Sequence, residues 1–129
     1  MTVTEFVERY YLHDSSLEKV EFDADKKILA LTIEFCFWQQ FWYDKSAPTN
    51  GLIRVTFKGV SCFEYDDCIA EKIFSDIDSE IRDGILDADG KFFLVAVEYA
   101  DFDEQDDIYF SLKIDAATVD VEELARYNL

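Results

Sequence analysis

Apolar residues alternate with small or polar ones along ILALTIEFCF, residues 28–37. Because successive side chains of a β-strand point to opposite faces, this period predicts a strand with one buried face. A strand this long and regular fixes the register of its neighbours, so we expect it to lie centrally in a sheet. Its odd-numbered positions form the apolar face: Leu29, Leu31, Ile33, Phe35 and Phe37.

Similar alternation predicts five further strands, and turn-forming residues separate several of them. The turn at 23–26 joins the first of these strands to the long one in an antiparallel hairpin. Isoleucines recur at every fourth position between Ile69 and Ile85, which is compatible with a helix or with strands. For this region we favour a helix or irregular turn over 67–76, followed by a strand. The five strands are expected at about 17–23, 53–59, 79–86, 92–99 and 108–114.

Capping residues predict a short helix at each end of the chain. Thr2 and Glu5 fit a capping box that begins an amphipathic helix over 3–11. Asp120 and Glu123 offer the same positions for a short C-terminal helix. The chain is therefore predicted to be a single α+β domain, residues 1–129, with a mainly antiparallel β-sheet and short N- and C-terminal helices.

The net charge of the chain limits the kinds of molecule that it is expected to bind. The 29 acidic and 12 basic side chains give a net charge of −17, which disfavours binding to nucleic acid or to an anionic membrane. The same charge favours a basic protein partner. Because the first residues carry Glu5 and Glu8 and no long apolar run, we expect no secretory signal there. No apolar run is long enough to cross a bilayer, and the three cysteines form no paired framework. These features predict a cytoplasmic protein with reduced thiols.

His13 and Asp14 are the candidates for chemistry, because an imidazole next to a carboxylate can transfer protons near neutral pH. The sequence shows no partner nucleophile, so we assign no catalytic residue. A structural turn in which one of the two caps backbone groups is the simpler interpretation.

Metal and cofactor sites lack support in the sequence. A single histidine cannot complete a structural zinc set, and Cys62 and Cys68 are too far apart for a CxxC pair. Three aspartate-rich segments fail as calcium-binding loops. The segment with Asp87, Asp89 and Gly90 has no carboxylate at its first and twelfth positions. The segment from Asp76 has Ile81 in place of the glycine, and the segment 101–107 lacks both that glycine and the terminal glutamate. No glycine-rich loop suggests nucleotide binding. We therefore predict no metal and no cofactor.

His13 and Asp14 are also candidates for binding a partner, together with two further groups of residues. Trp38, Trp42 and Tyr43 follow the long strand and either fill the core or form an exposed anchor of the kind that dominates protein interfaces. The acidic loop is either a solvated connection or an electrostatic contact for a basic protein. Its candidate residues are Asp101, Asp103, Asp106 and Asp107.

The sequence Tyr11-Leu12-His13-Asp14-Ser15 precedes two paired strands. In this respect the chain resembles small bacterial proteins such as the immunity protein 50 family of polymorphic toxin systems, where a hydrophobic-His-Asp-Ser step precedes the first strand. The resemblance covers about ten residues and the strand layout, and it implies a non-enzymatic protein that binds a toxin.

Three functional hypotheses follow. The first is an acidic protein-binding domain, of the immunity type, that acts without catalysis. The second is a small hydrolase or metal-dependent enzyme centred on His13 and Asp14. The third is an oligomeric structural protein, such as a homodimer, that pairs through a sheet edge or through its aromatic residues.

Overall fold

The computed structural model describes residues 1–75, 77–99 and 107–129. Within these ranges the chain forms one α-helix, α1 (Val3–Arg9), and two 3₁₀ turns, Phe37–Gln39 and Asp67–Ile69. The remaining elements are strands: β1 (Ser16–Asp23), β2 (Ile28–Cys36), β3 (Asn50–Lys58), β4 (Cys62–Tyr65), β5 (Ser79–Leu86), β6 (Phe92–Glu98), β7 (Ile108–Asp115) and β8 (Thr118–Tyr127).

All eight strands belong to one sheet, in the order β4-β7-β6-β5-β1-β2-β3-β8, and every neighbouring pair is antiparallel. The predicted antiparallel sheet, the β1–β2 hairpin and the interior position of the long strand β2 are confirmed. The predicted apolar face of β2 is fully buried, whereas Thr32 and Glu34 on the other face remain partly exposed.

The sheet is strongly rolled. Residues 59–61 connect β3 to β4, and residues 116–117 connect β7 to β8. In both cases the two connected strands lie at or next to opposite edges of the sheet. Such short connections require the two edges to approach each other in space. The core confirms the curvature, because Phe57 of β3 stacks on Phe92 of β6 at 5.6 Å between ring centroids. Three strands separate β3 from β6 within the sheet.

Helix α1 packs against β5, β6 and β8 and completes the core. The predicted capping box is present, with Thr2 Oγ1 accepting from the Glu5 N–H and Glu5 Oε1 accepting from the Thr2 N–H, both at 3.0 Å. The helix ends at Arg9, two residues before the predicted limit. Its Phe6 ring makes edge contacts with Phe57 and Phe92.

The predicted C-terminal helix is wrong, because residues 118–127 form the edge strand β8. This strand pairs with β3 from Asn50↔Tyr127 to Lys58↔Thr118. Asp120 caps no helix and instead forms an ion pair with Lys58 at 2.7 Å. Its local sequence fits a helix start, but the long ladder with β3 decides the conformation, since strand formation depends strongly on tertiary context.

The segment that follows β3 agrees in part with the sequence prediction. Strand β5 is confirmed, and the described part of 67–76 is a 3₁₀ helix followed by turns, as the irregular-turn alternative predicted. The short edge strand β4 was not predicted. The four-residue spacing arises because Ile69, Ile73 and Ile77 enter the core from the irregular segment that precedes β5.

No helix within the described residues is long and apolar enough to cross a membrane.

Candidate functional site

A groove of about 880 Å³ opens where β1 begins, β2 ends and β3 begins. The sheet register explains its composition, because Ser16 of β1 lies opposite Glu34 of β2, and Cys36 of β2 lies opposite Asn50 of β3. The loop between β2 and β3 supplies one wall. Its lining residues are Asp14, Ser16, Glu34, Cys36, Trp38, Tyr43, Lys45, Thr49, Asn50 and Leu129.

The floor of the groove holds two buried side chains with polar atoms, Cys36 and Asn50. Asn50 Nδ2 donates to Cys36 Sγ at 3.8 Å, and Cys36 Sγ lies 3.5 Å from the Asp14 carbonyl oxygen. Burial raises the pKa of the Cys36 thiol, and the charges of Asp14 and Glu34 raise it further. Because only a thiolate is a strong nucleophile, Cys36 is poorly suited to nucleophilic catalysis at neutral pH.

Negative charge is concentrated on this side of the sheet. Asp14 and Glu34 line the groove, and Lys45 is the one cationic side chain among its ten lining residues in the described structure. Beside Glu34, burial and the carboxylates of Asp78 and Glu34 raise the pKa of Glu18 to about 6. A site in which carboxylates repel one another favours a bound cation.

The raised pKa of Glu18 predicts a pH-dependent stability. Because the folded-state pKa of about 6 lies above the ordinary value of 4.5, the folded protein holds this proton more tightly. The stability that protonated Glu18 contributes to the folded state is therefore complete below pH 4.5 and is lost as the pH rises through 6. The whole shift corresponds to about 2 kcal/mol, which solvent screening at this partly exposed side chain reduces to about 0.5–1 kcal/mol.

We therefore expect Glu18→Gln to be more stable than the parent at about pH 7.5 and to lose this advantage near pH 4.5. Urea unfolding of both proteins at three pH values, one below, one at and one above the raised pKa, measures the difference. A stability difference that is constant across this range would contradict the prediction.

His13 lies beside the groove and does not line it. Its Nδ1–H donates to the carbonyl oxygen of Arg82 on β5 at 2.7 Å, and its Nε2 lies 3.3 Å from Asp14 Oδ1. The Asp14 N–H donates to the Ile81 carbonyl at 3.0 Å, and the φ angle of Asp14 is +64°. The two residues thus fasten the turn before β1 to strand β5. Ser15 is fully buried, and its Oγ accepts a hydrogen bond from the Cys36 N–H at 3.1 Å.

The three aromatic candidates have different environments. Trp38 is 53% exposed and forms part of the groove wall with Tyr43, whose hydroxyl donates to the Ala47 carbonyl at 2.8 Å. Trp42 does not line the groove; it packs against Phe35 and Phe37 and donates from Nε1 to the Arg9 carbonyl at 2.9 Å. Of the three, Trp38 and Tyr43 are therefore the ones positioned to contact a ligand in the groove.

The buried Gln40 holds the aromatic loop in place. Its Oε1 accepts from the Tyr11 N–H at 2.8 Å, and its Nε2 donates to the carbonyl oxygens of Tyr11 and Cys36 at 2.8 and 2.9 Å. These bonds tie the groove wall to the segment that carries Asp14. Four residues of this region were not selected from the sequence patterns: Glu34, Cys36, Gln40 and Asn50. The only local indication was the polar amide of Gln40 within a run of aromatic residues.

The acidic loop contributes nothing to the groove in the part of the chain that the structure describes. Asp107 is exposed before β7, and Asp101, Asp103 and Asp106 lie outside the described residues. Among the described residues, no group of three or more His, Cys, Asp or Glu side chains has a geometry suited to a metal ion.

No protein-family profile, curated protein sequence or solved structure matches this chain. The candidate function therefore depends on the chemistry of the groove.

Proposed function

We propose that this chain is a non-enzymatic binding protein whose groove accepts a basic segment of a protein partner. The observation that carries the proposal is the combination, in one groove, of the carboxylates of Asp14 and Glu34 with the exposed ring of Trp38. Carboxylates attract a cationic side chain, and an aromatic ring adds a cation–π contact. The net charge of −17 extends the attraction beyond the groove and accelerates encounter with a basic protein.

The groups around the groove favour binding over catalysis. The Cys36 thiol has a raised pKa, and both ring nitrogens of His13 face groups of its own turn and of β5. Acid–base chemistry needs a side chain that can reach the reacting proton. The hydrogen bond from His13 to a backbone carbonyl supports a structural role for this residue.

An immunity-type role is the specific form of this proposal. The His13-Asp14-Ser15 step resembles the opening of the immunity protein 50 family, and in this fold it forms the turn beside the groove. A toxin that acts on nucleic acid or another anionic substrate carries a basic cleft, which an acidic surface can occupy. The partner is therefore proposed to be a basic toxin.

Titration with a short lysine peptide tests the binding proposal. We expect calorimetry to show binding that weakens as NaCl rises from about 50 to about 200 mM, because the attraction is electrostatic. Glu34→Gln should weaken binding about three- to tenfold, equivalent to roughly 0.7–1.4 kcal/mol. Glu64→Gln is the matched control, since Glu64 is an exposed carboxylate on edge strand β4, outside the groove.

Absence of binding at the lowest salt concentration would contradict the proposed function. Equal losses in the Glu34→Gln and Glu64→Gln variants would contradict the groove as the binding site, because the peptide would then respond only to total charge.

A further inference from the structure

The loop that forms the groove wall already stacks two of its rings on arginines of the same chain. Arg126 Cζ lies 3.9 Å from the ring centroid of Phe37, and Arg9 Cζ lies 4.7 Å from that of Trp42. Arg126 also donates from Nε and Nη2 to Glu123, at 3.0 and 2.7 Å. Each guanidinium covers an aromatic face, and Arg126 is held by a carboxylate as well. This arrangement uses the planar shape and the several donors of arginine.

Trp38 also presents an aromatic face near carboxylates, but no arginine of the described residues is stacked on it. Within the described residues no cationic side chain lies over its ring, although it is half exposed and adjoins the groove. Glu34 and Asp14 line the same groove and supply carboxylate oxygens. An aromatic face next to a carboxylate is the environment that Phe37 and Glu123 provide for Arg126.

Asn50 supplies the groove with an amide group beside the carboxylates. Its side chain lines the groove, the residue is 6% exposed, and its Nδ2 contacts the weak acceptor Cys36 Sγ. Its Oδ1 is not one of the buried side-chain atoms that lack a partner in the described residues, which are Gln39 Nε2, Ser79 Oγ and Glu98 Oε2. As an amide oxygen of a residue that lines the groove, it can accept a hydrogen bond from a bound group.

We infer that the groove binds the guanidinium of a partner's arginine, stacked on Trp38 and hydrogen-bonded to Asn50 and Glu34. This inference rests on the proposed function and specifies the residue that the basic partner inserts. A lysine ammonium is a compact charge that cannot stack as a plane or donate in parallel to two acceptors. The groove therefore discriminates between two side chains of equal charge.

Three peptides of equal length test this discrimination: hexa-arginine, hexa-lysine and hexa-citrulline, the last being the neutral isostere of arginine. We expect calorimetry in about 100 mM NaCl to give at least about tenfold tighter binding of hexa-arginine than of hexa-lysine. Hexa-citrulline should not bind measurably, since it keeps the planar shape but carries no charge.

The Trp38→Leu variant tests whether the arginine of the peptide stacks on Trp38. It should reduce the preference for arginine over lysine to less than about threefold, because hexa-arginine loses both the planar stack and the cation–π contact, whereas hexa-lysine loses only the cation–π contact. Phe41→Leu is the control, because Phe41 is 80% exposed in the same loop and does not line the groove. That variant should keep the full preference. Circular dichroism and thermal unfolding verify that both variants are folded.

The outcomes separate the two proposals. Equal affinity for hexa-arginine and hexa-lysine would overturn the arginine inference and leave the basic-partner function intact. A preference that survives in Trp38→Leu would also overturn it, because the arginine would then lie elsewhere. Failure of both cationic peptides to bind would overturn the proposed function and the inference together.

Discussion

Replacing Gly51 with alanine should destabilise the fold by about 3 kcal/mol, at the upper end of the usual cost of overpacking. Gly51 lies on β3, opposite Phe35 of β2 and Arg126 of β8. A Cβ atom at this position would clash with the backbone oxygen of Ala125 and would lie 2.8 Å from Phe37 Cε2. The backbone oxygen of Ala125 cannot move away without disturbing the β3–β8 ladder, so the clash cannot be relieved by a small local shift.

Urea unfolding of Gly51→Ala measures this effect, with Gly90→Ala as its control. Gly90 has a φ of +78°, and a Cβ atom added there would meet no other atom within 4 Å. Its substitution therefore carries only the cost of a left-handed backbone, about 1 kcal/mol. If Gly51→Ala is no more destabilising than Gly90→Ala, then β8 does not pass as close to β3 as the structure shows.

Phe6→Ala should be at least as harmful, with an expected loss of about 3–5 kcal/mol. The ring is 1% exposed and lies 5.3 to 6.0 Å, between centroids, from the rings of Tyr10, Phe57 and Phe92. Its removal leaves a cavity between helix α1 and the rolled sheet. A helix of 7 residues is not stable in isolation, so loss of this anchor should release it from the sheet.

The matched control for Phe6→Ala is Phe41→Ala, which removes the same ring from a position that is 80% exposed. We expect the free energy of unfolding of that variant to lie within about 0.5 kcal/mol of the parent value, as is usual for surface substitutions. Thermal and urea unfolding followed by circular dichroism measure both effects. Similar losses in the two variants would contradict the buried position of Phe6.

Much of the fold could be predicted because its strands carry strong local patterns. The large apolar residues of β2 alternate without interruption, and Thr2 with Glu5 gives an unambiguous helix start. Strand β8 has no such pattern, since most of its residues are exposed at the sheet edge. Its conformation comes from pairing with β3, and the chain around Asp120 carries no information about that distant partner.

The groove could be predicted only in part, for a related reason. Asp14, Trp38 and Tyr43 were candidates because charge and aromatic character are visible along the sequence, and all three line the groove. Glu34 and Asn50 join them only through the register of β1, β2 and β3. The sequence could not distinguish Trp42 from Trp38, because the hydrogen bond of Trp42 to the Arg9 carbonyl depends on where α1 ends.

The rolled sheet has a consequence for the time course of folding. The outer edge of β3 is paired only when β8 has formed. The two strands are far apart in the sequence, since their ladder pairs Asn50 with Tyr127. A topology dominated by such distant pairings folds slowly, in milliseconds to seconds. During synthesis, β3 therefore leaves the ribosome long before its partner and exposes an open strand edge to neighbouring chains. Residues 1–65 carry 10 acidic and 7 basic side chains, so most of the net charge of −17, and the repulsion between chains that it supplies, is added only when the later residues are synthesised.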